Sequence, residues 1–119
     1  MLSNPEEQKL VTLAQATLKR SGAKQAAALR DNTGRTYVAV PVNSPSLALD
    51  AVEAVFTVAM ASQISGIEAV VFTGDRSAKT AVISEFAPMA AIFFAIDGSE
   101  PDKIALCASF DLVQAQIPG

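Results

Sequence analysis

The chain has no histidine and no tryptophan, and a single cysteine, Cys107, in 119 residues. Without histidine it lacks the commonest general base at neutral pH and the commonest metal ligand. Ser-His-Asp and Cys-His nucleophile systems in their usual form are excluded for the same reason. One thiol cannot close an intrachain disulfide. A membrane span is also missing: the apolar run over residues 47–61 is interrupted by Asp50 and Glu53 and falls short of the ~20 apolar residues a span requires. Nor is there an excess of positive charge. The net charge is −3, whereas nonspecific nucleic-acid binding uses a basic surface, so nucleic acid is not an expected partner. Lys9, Lys19, Arg20, Lys24, Arg30 and Arg35 do put six of the nine basic residues near the start, a bias that reads as a solvated face. Residues 1–7 are polar and begin a helix, unlike a secretory leader, and the expectation is a cytoplasmic protein.

Half of the residues are hydrophobic and 18% are charged, a globular composition, and the length suits one domain over residues 1–119. Ser3-Asn4-Pro5-Glu6-Glu7 is a helix start: Ser3 or Asn4 can cap, Pro5 suits the first turn, and two acids meet the positive end of the dipole. Leu10, Leu13, Ala14 and Leu18 continue one apolar stripe, and Gly22 stops it. Strands are predicted over 24–31 and 35–42, joined by Asp31-Asn32-Thr33-Gly34 as a short turn. Residues 43–46 read as a loop carrying a cap, and 47–65 as a long helix, apolar nearly all round, ended by Gly66. A buried strand follows over 67–73, a short helix over 78–86, a second buried strand over 90–96, a last strand over 104–107 and a helical turn or two over 109–116. The order predicts an α/β sandwich with a mixed five-stranded sheet and helices on both faces.

Ala26-Ala27-Ala28-Leu29 followed by Gly34-Arg35-Thr36-Tyr37, the long helix with Asp50-Ala51 near its start, and Ala81-Val82-Ile83-Ser84-Glu85-Phe86 occur in a telling order. They resemble, in turn, the opening hairpin of the cytidine deaminases (G-A-A-L, then D-G-x-x-Y), their metal-bearing helix, and the segment after their second metal motif (Q-V-[IL]-x-E-[FL]). The resemblance runs from about residue 7 to about residue 115, and order and spacing carry it rather than any one stretch. It implies a site in which [CH]-A-E and P-C-x-x-C hold one zinc and a glutamate moves protons. Zinc supplies hydroxide by lowering the pKa of bound water to ~7.

At the matching positions this chain departs from that pattern. The first motif falls near Asp50-Ala51-Val52, within two residues either way, which sets Asp50 at the ligand and Val52 at the glutamate. The second falls on residues 75–79, with Arg76 and Lys79 at the two cysteines. Neither cation binds zinc at neutral pH, and Cys107 lies on the last predicted strand. The family's sugar-binding N-x-E-N is reduced to Pro41-Val42-Asn43-Ser44. No metal and no cofactor are therefore expected, and the candidate binding positions are Asp50, Val52, Arg76 and Lys79. Asp50 is expected either to pair with Arg76 or Lys79, joining the two helix starts, or to point with them into solvent. Alternatively, the cations and a helix start form an anion site. Residues 74–80 (G-D-R-S-A-K-T) imitate a phosphate loop but lack its second glycine and one residue of its spacing.

Two functions follow from the resemblance. One is an inactive deaminase-like protein kept as an interaction or structural module, a homo-oligomer (dimer or tetramer) through the long apolar helix. The alternative is a zinc-independent binder of a nucleoside, nucleotide or other anion in the old pocket. A pocket lined by the cations favours the second; a pocket filled by side chains favours the first. An enzyme of another type, using Asp50 or Glu53 as acid or base, lacks a second activated group beside them. Cys107, Phe93, Phe94, Met60 and Met89 read as core, and Glu68 and Glu85 as solvated acids.

Overall fold

A computed structural model of the chain describes residues 5–96. The elements are α1 (Pro5–Ser21), β1 (Gln25–Asp31), β2 (Thr36–Ala39), β3 (Val42–Ser44), β4 (Leu47–Leu49), α2 (Ala51–Ala61), β5 (Ile67–Gly74), α3 (Ala81–Phe86) and β6 (Ala91–Ala95). Four strands form a mixed sheet in the order β2-β1-β5-β6. β1 is antiparallel to both neighbours, and β5 and β6 run parallel. The parallel pair is joined through α3, because a parallel return needs a crossover. The predicted strand over 104–107, the turns over 109–116 and Cys107 lie outside the described residues, as do Ser3 and Asn4.

The strands are apolar on both faces because a helix covers each. The strand period of two sends Ala27, Leu29, Val70, Phe72, Ile92 and Phe94 to the face where they meet Val52 and Val55 of α2 and Ile83 of α3. The intervening Ala28, Ala69, Val71, Phe93 and Ala95 meet Leu10, Val11 and Ala14 of α1. Phe93 and Phe94 are thus core, one on each face. Small alanines on β1 let both helices come close to the strand, and large residues on β5 and β6 fill the remaining depth. Phe56 of α2 and Phe86 of α3 add an edge-to-face pair at 5.9 Å.

Several expectations are corrected. The helix expected over 47–65 is shorter. Its first three residues form β4, paired antiparallel with β3 in a separate hairpin. The helix begins after Asp50, whose carboxylate accepts the Glu53 N–H while the Glu53 carboxylate accepts the Asp50 N–H. This reciprocal capping box fixes the boundary and leaves the preceding residues free to extend. The helix ends at Ser62 rather than Gly66. Gln63 takes a left-handed conformation (φ 63°), its N–H donates to the Met60 carbonyl, and the Ile64 N–H reaches the Ala59 carbonyl. That is a Schellman stop with glutamine where glycine is usual, anchored by Ile64 on the core. The strand expected over 35–42 ends at Ala39, and α3 starts at Ala81 instead of residue 78. Met60 and Met89 are 38% and 95% exposed, so neither fills the core. Glu68 is the extra residue of a β-bulge, because Arg30 pairs with Ala69 and Asp31 with Ile67. The bulge re-aims its carboxylate to accept the Arg30 Nε–H at 2.9 Å, an ion pair instead of a purely solvated acid.

Candidate functional site

Three chain segments meet at the leading end of β1: its first residues, the start of α2 and the loop from β5 to α3. Gly74 makes the meeting close. It has φ +89°, and a Cβ there would lie 2.3 Å from the Lys24 carbonyl oxygen. The same carbonyl accepts the Asp75 N–H at 2.9 Å. Only glycine tolerates both the backbone angle and that approach.

Gln25 ties the segments together. It is 3% exposed, and its side-chain oxygen accepts the Ala51 N–H at 2.7 Å. Its side-chain nitrogen donates to the Asp75 carbonyl at 2.8 Å. One amide thus satisfies a free donor of the α2 start and an acceptor of the β5–α3 loop, and the two partners fix which way the amide points. A second tie runs parallel to it. The Ser77 hydroxyl donates to Asp50 Oδ2 at 2.5 Å and accepts the Lys79 N–H at 3.0 Å. Asp50 at the α2 start is therefore joined to the β5–α3 loop by a hydroxyl, and not by the cation of the expected ion pair. Among the described residues the ion pairs are Lys9–Glu6 and Arg30–Glu68, so Asp50 meets neither Arg76 nor Lys79 as a salt bridge. A serine one bond from a fixed carboxylate satisfies it at less entropic cost than a long flexible cation.

Above these ties lies a cleft of about 600 Å³. Lys24, Gln25, Asp50, Glu53, Asp75, Arg76 and Lys79 form its polar lining, and Pro41, Val42, Ala48 and Leu49 its apolar wall. The apolar wall comes largely from the β3–β4 hairpin. Arg76 lies with its guanidinium carbon 4.4 Å above the Phe94 ring centroid, a cation–π contact that holds it against the sheet edge. Lys24 and Lys79 are exposed. Three of the four expected site residues thus line one cleft. The fourth, Val52, is fully buried in the α2 core cluster and does not reach it.

The described residues that line this cleft do not fit a zinc ion. Both oxygens of Asp50 are engaged by the Glu53 N–H and the Ser77 hydroxyl. Arg76 and Lys79 are cations without a lone pair for a metal at neutral pH. Among the described residues no three His, Cys, Asp or Glu side chains are grouped to hold a metal. Gln25, Ser77 and Lys24 were missed by sequence reasoning. Ser77 stood between two singled-out residues, and Gln25 left only the trace of one polar residue heading an apolar strand.

At the trailing end of β1, Asp31 is 2% exposed and lies beside a polar depression of about 340 Å³. Burial pushes its carboxyl pKa up. The Thr33 hydroxyl and N–H, the Arg35 N–H and the Tyr37 hydroxyl outweigh burial and hold it below the usual value.

Comparison with known proteins adds the family. Residues 3–99 match the family described as cytidine deaminase-like. Among solved structures, cytidine deaminase from Burkholderia pseudomallei is similar with a TM-score of 0.66 at 19% identity, over 77% of this chain and 86% of that one. Cytidine deaminase from Mycobacterium leprae is similar with a TM-score of 0.57 at 19% identity, over 71% of this chain and 83% of that one. At that identity the likeness shows the fold. No curated protein sequence matches. No helix of the described residues is long and apolar enough to cross a membrane.

Proposed function

The chain belongs to the cytidine deaminase-like family, and on that premise we propose that it is a zinc-independent member that holds a small ligand in the cleft above Gln25 and Asp50. The carrying observation is the cleft itself. Side chains that do not bind zinc stand at the positions that the resemblance assigns to the metal ligands, and the space beside them is open: about 600 Å³, lined by Lys24, Arg76 and Lys79 among others and walled by Leu49 and Val42. Concave, largely apolar sites with a few convergent polar groups are where small molecules bind. Deamination by metal-bound hydroxide is not the chemistry of this site. Val52 occupies the position that the resemblance assigns to the proton-shuttling glutamate, and it is buried in the core.

A second reading rests on a different observation. Leu47, Val42, Val58 and Met60 are exposed at 51%, 39%, 43% and 38%. They lie on the β3–β4 hairpin and the outer side of α2. An isolated two-stranded hairpin is marginal in water, so a homo-oligomer that covers this surface gives it support.

The test of the first reading is a thermal-shift screen with nucleosides, nucleotides, phosphate and small carboxylates, with and without Zn²⁺. It is repeated on Arg76→Ala and Lys79→Ala. A ligand at a hundredfold excess over its dissociation constant stabilises by about 2.7 kcal/mol, which is readily seen. The expected result is a Zn²⁺-independent shift that at least one substitution abolishes. A flat screen together with a stable oligomer moves the oligomeric module to the front. A shift that appears only with Zn²⁺ defeats both readings.

A further inference from the structure

We infer that the ligand of this cleft is an anion, a phosphate- or carboxylate-bearing small molecule, whose charged group is held by Lys24 and Lys79. The inference rests on the cleft reading above and specifies its chemistry. The cleft contains carboxylates as well as cations, but the two kinds are not equally available. Asp50 spends both oxygens on the Glu53 N–H and the Ser77 hydroxyl, and Glu53 spends Oε1 on the Asp50 N–H. At Asp50 a cationic ligand group meets acceptors that are already satisfied and gains little from them; the exposed Asp75 is the lining acid whose carboxylate is not engaged in these ties. The two lysines are in the opposite condition. Their backbones are pinned: the Lys24 carbonyl by the Asp75 N–H, and the Lys79 N–H by the Ser77 hydroxyl. Their side chains are exposed, and neither has a carboxylate within ion-pair distance among the described residues.

The two come from segments 55 residues apart in the chain and are brought to one rim by the Gly74 turn and the Gln25 tie. The lining sets Lys24, Arg76 and Lys79 beside Asp50, Glu53 and Asp75, so the attraction of an anion rests on the short reach of the two exposed ammonium groups and not on a net field of the cleft. The apolar wall of Leu49 and Val42 gives the body of the ligand its place, so the fitting molecule is small and amphiphilic, with its charge at one end.

The experiment compares matched pairs that differ in charge: cytidine 5′-monophosphate against cytidine, and benzoate against benzamide. Each is titrated into the full chain and followed by backbone amide NMR shifts at Gln25, Ala51 and Asp75. The anion of at least one pair is expected to bind about tenfold more tightly than its neutral partner, the scale of two partly exposed charge contacts. The preferred pair identifies phosphate or carboxylate. The preference is expected to shrink as ionic strength rises from about 0.05 M to about 0.3 M, and to vanish in Lys24→Ala/Lys79→Ala, whose melting temperature stays at the wild-type value because both side chains are exposed. Equal binding of both members of each pair overturns the inference and leaves the cleft reading standing. An anion preference that survives the double substitution overturns the assignment to these lysines. If no probe shifts the three amides, the cleft reading fails with it.

Discussion

The strand β1 begins and ends in a buried polar side chain, Gln25 at 3% exposure and Asp31 at 2%. The two ends are held in different ways. Gln25 is neutral and bonds across the fold, to Ala51 and Asp75, 26 and 50 residues away. Asp31 is a carboxylate and bonds within its own hairpin, to residues two to six positions on. A local anion can be paired with donors that the turn itself supplies. A position where three distant segments converge needs one group that both donates and accepts, and an amide does this without burying charge. The Gln25 tie therefore holds its end of the strand without a titratable group, and Asp31 brings one to the far end.

The contrast can be broken first at Gly74. Gly74→Ala adds a Cβ 2.3 Å from the Lys24 carbonyl at a φ that L-residues rarely adopt. Strain and clash together are expected to cost about 2–4 kcal/mol, read as a lowered urea midpoint. The mirror substitution Gly34→Ala meets no atom within 4 Å at φ +93°, so only the backbone strain remains, about 1–2 kcal/mol.

Gln25→Leu keeps the volume and removes both bonds. The Ala51 N–H and the Asp75 carbonyl lose their partner, with an expected loss of about 1–3 kcal/mol. Hydrogen exchange at the Ala51 amide is the direct check: fast exchange in the variant marks the tie, and unchanged exchange shows that something else protects the helix start.

Asp31→Asn sharpens the comparison through pH. The folded carboxyl pKa lies below its unfolded value, so the stabilisation is complete above the unfolded value of about 3.9 and is lost as pH falls through the folded value. Wild-type stability is expected to fall over that acid window, and the fall is expected to be shallower in Asp31→Asn. A Gln25 variant is expected to keep the wild-type slope, because no proton is bound or released there. Parallel slopes in wild type and Asp31→Asn would refute the assignment.

The smallest effect is expected at Gln63, beside the Asp31 depression. Gln63→Gly relieves a left-handed residue at φ 63° and is expected to stabilise by up to about 1 kcal/mol, measured as a higher melting temperature.

Much of this fold was legible as sequence. The period of the apolar residues marked α1, β1, β5 and β6, and Asp31-Asn32-Thr33-Gly34 marked its turn, because each depends on neighbours a few positions away. The start of α2 was misplaced. Leu47 and Leu49 continue an apolar run that masks the boundary, although Asp50 followed three residues later by Glu53 carries the capping-box signature that closes behind them. Its end was misplaced because a glutamine in a glycine's conformation leaves no residue signal. At the site, Asp50, Arg76 and Lys79 were found because the resemblance gave their positions, and Val52 was placed there for the same reason, although the helix turns it into the core.

The amino-acid sequence by itself determined the α/β layering, the hairpin turn and the absence of histidine as a possible ligand or base, since these follow from residue types and short spacings. Tertiary structure alone decided that Asp50 is satisfied by Ser77 and not by a cation, that Gln25 joins the α2 start to the β5–α3 loop, and that Lys24 and Lys79 share a rim. Each of those is a meeting of segments tens of residues apart. Such meetings are set by the packing of helices on both faces of the sheet, which no local pattern encodes.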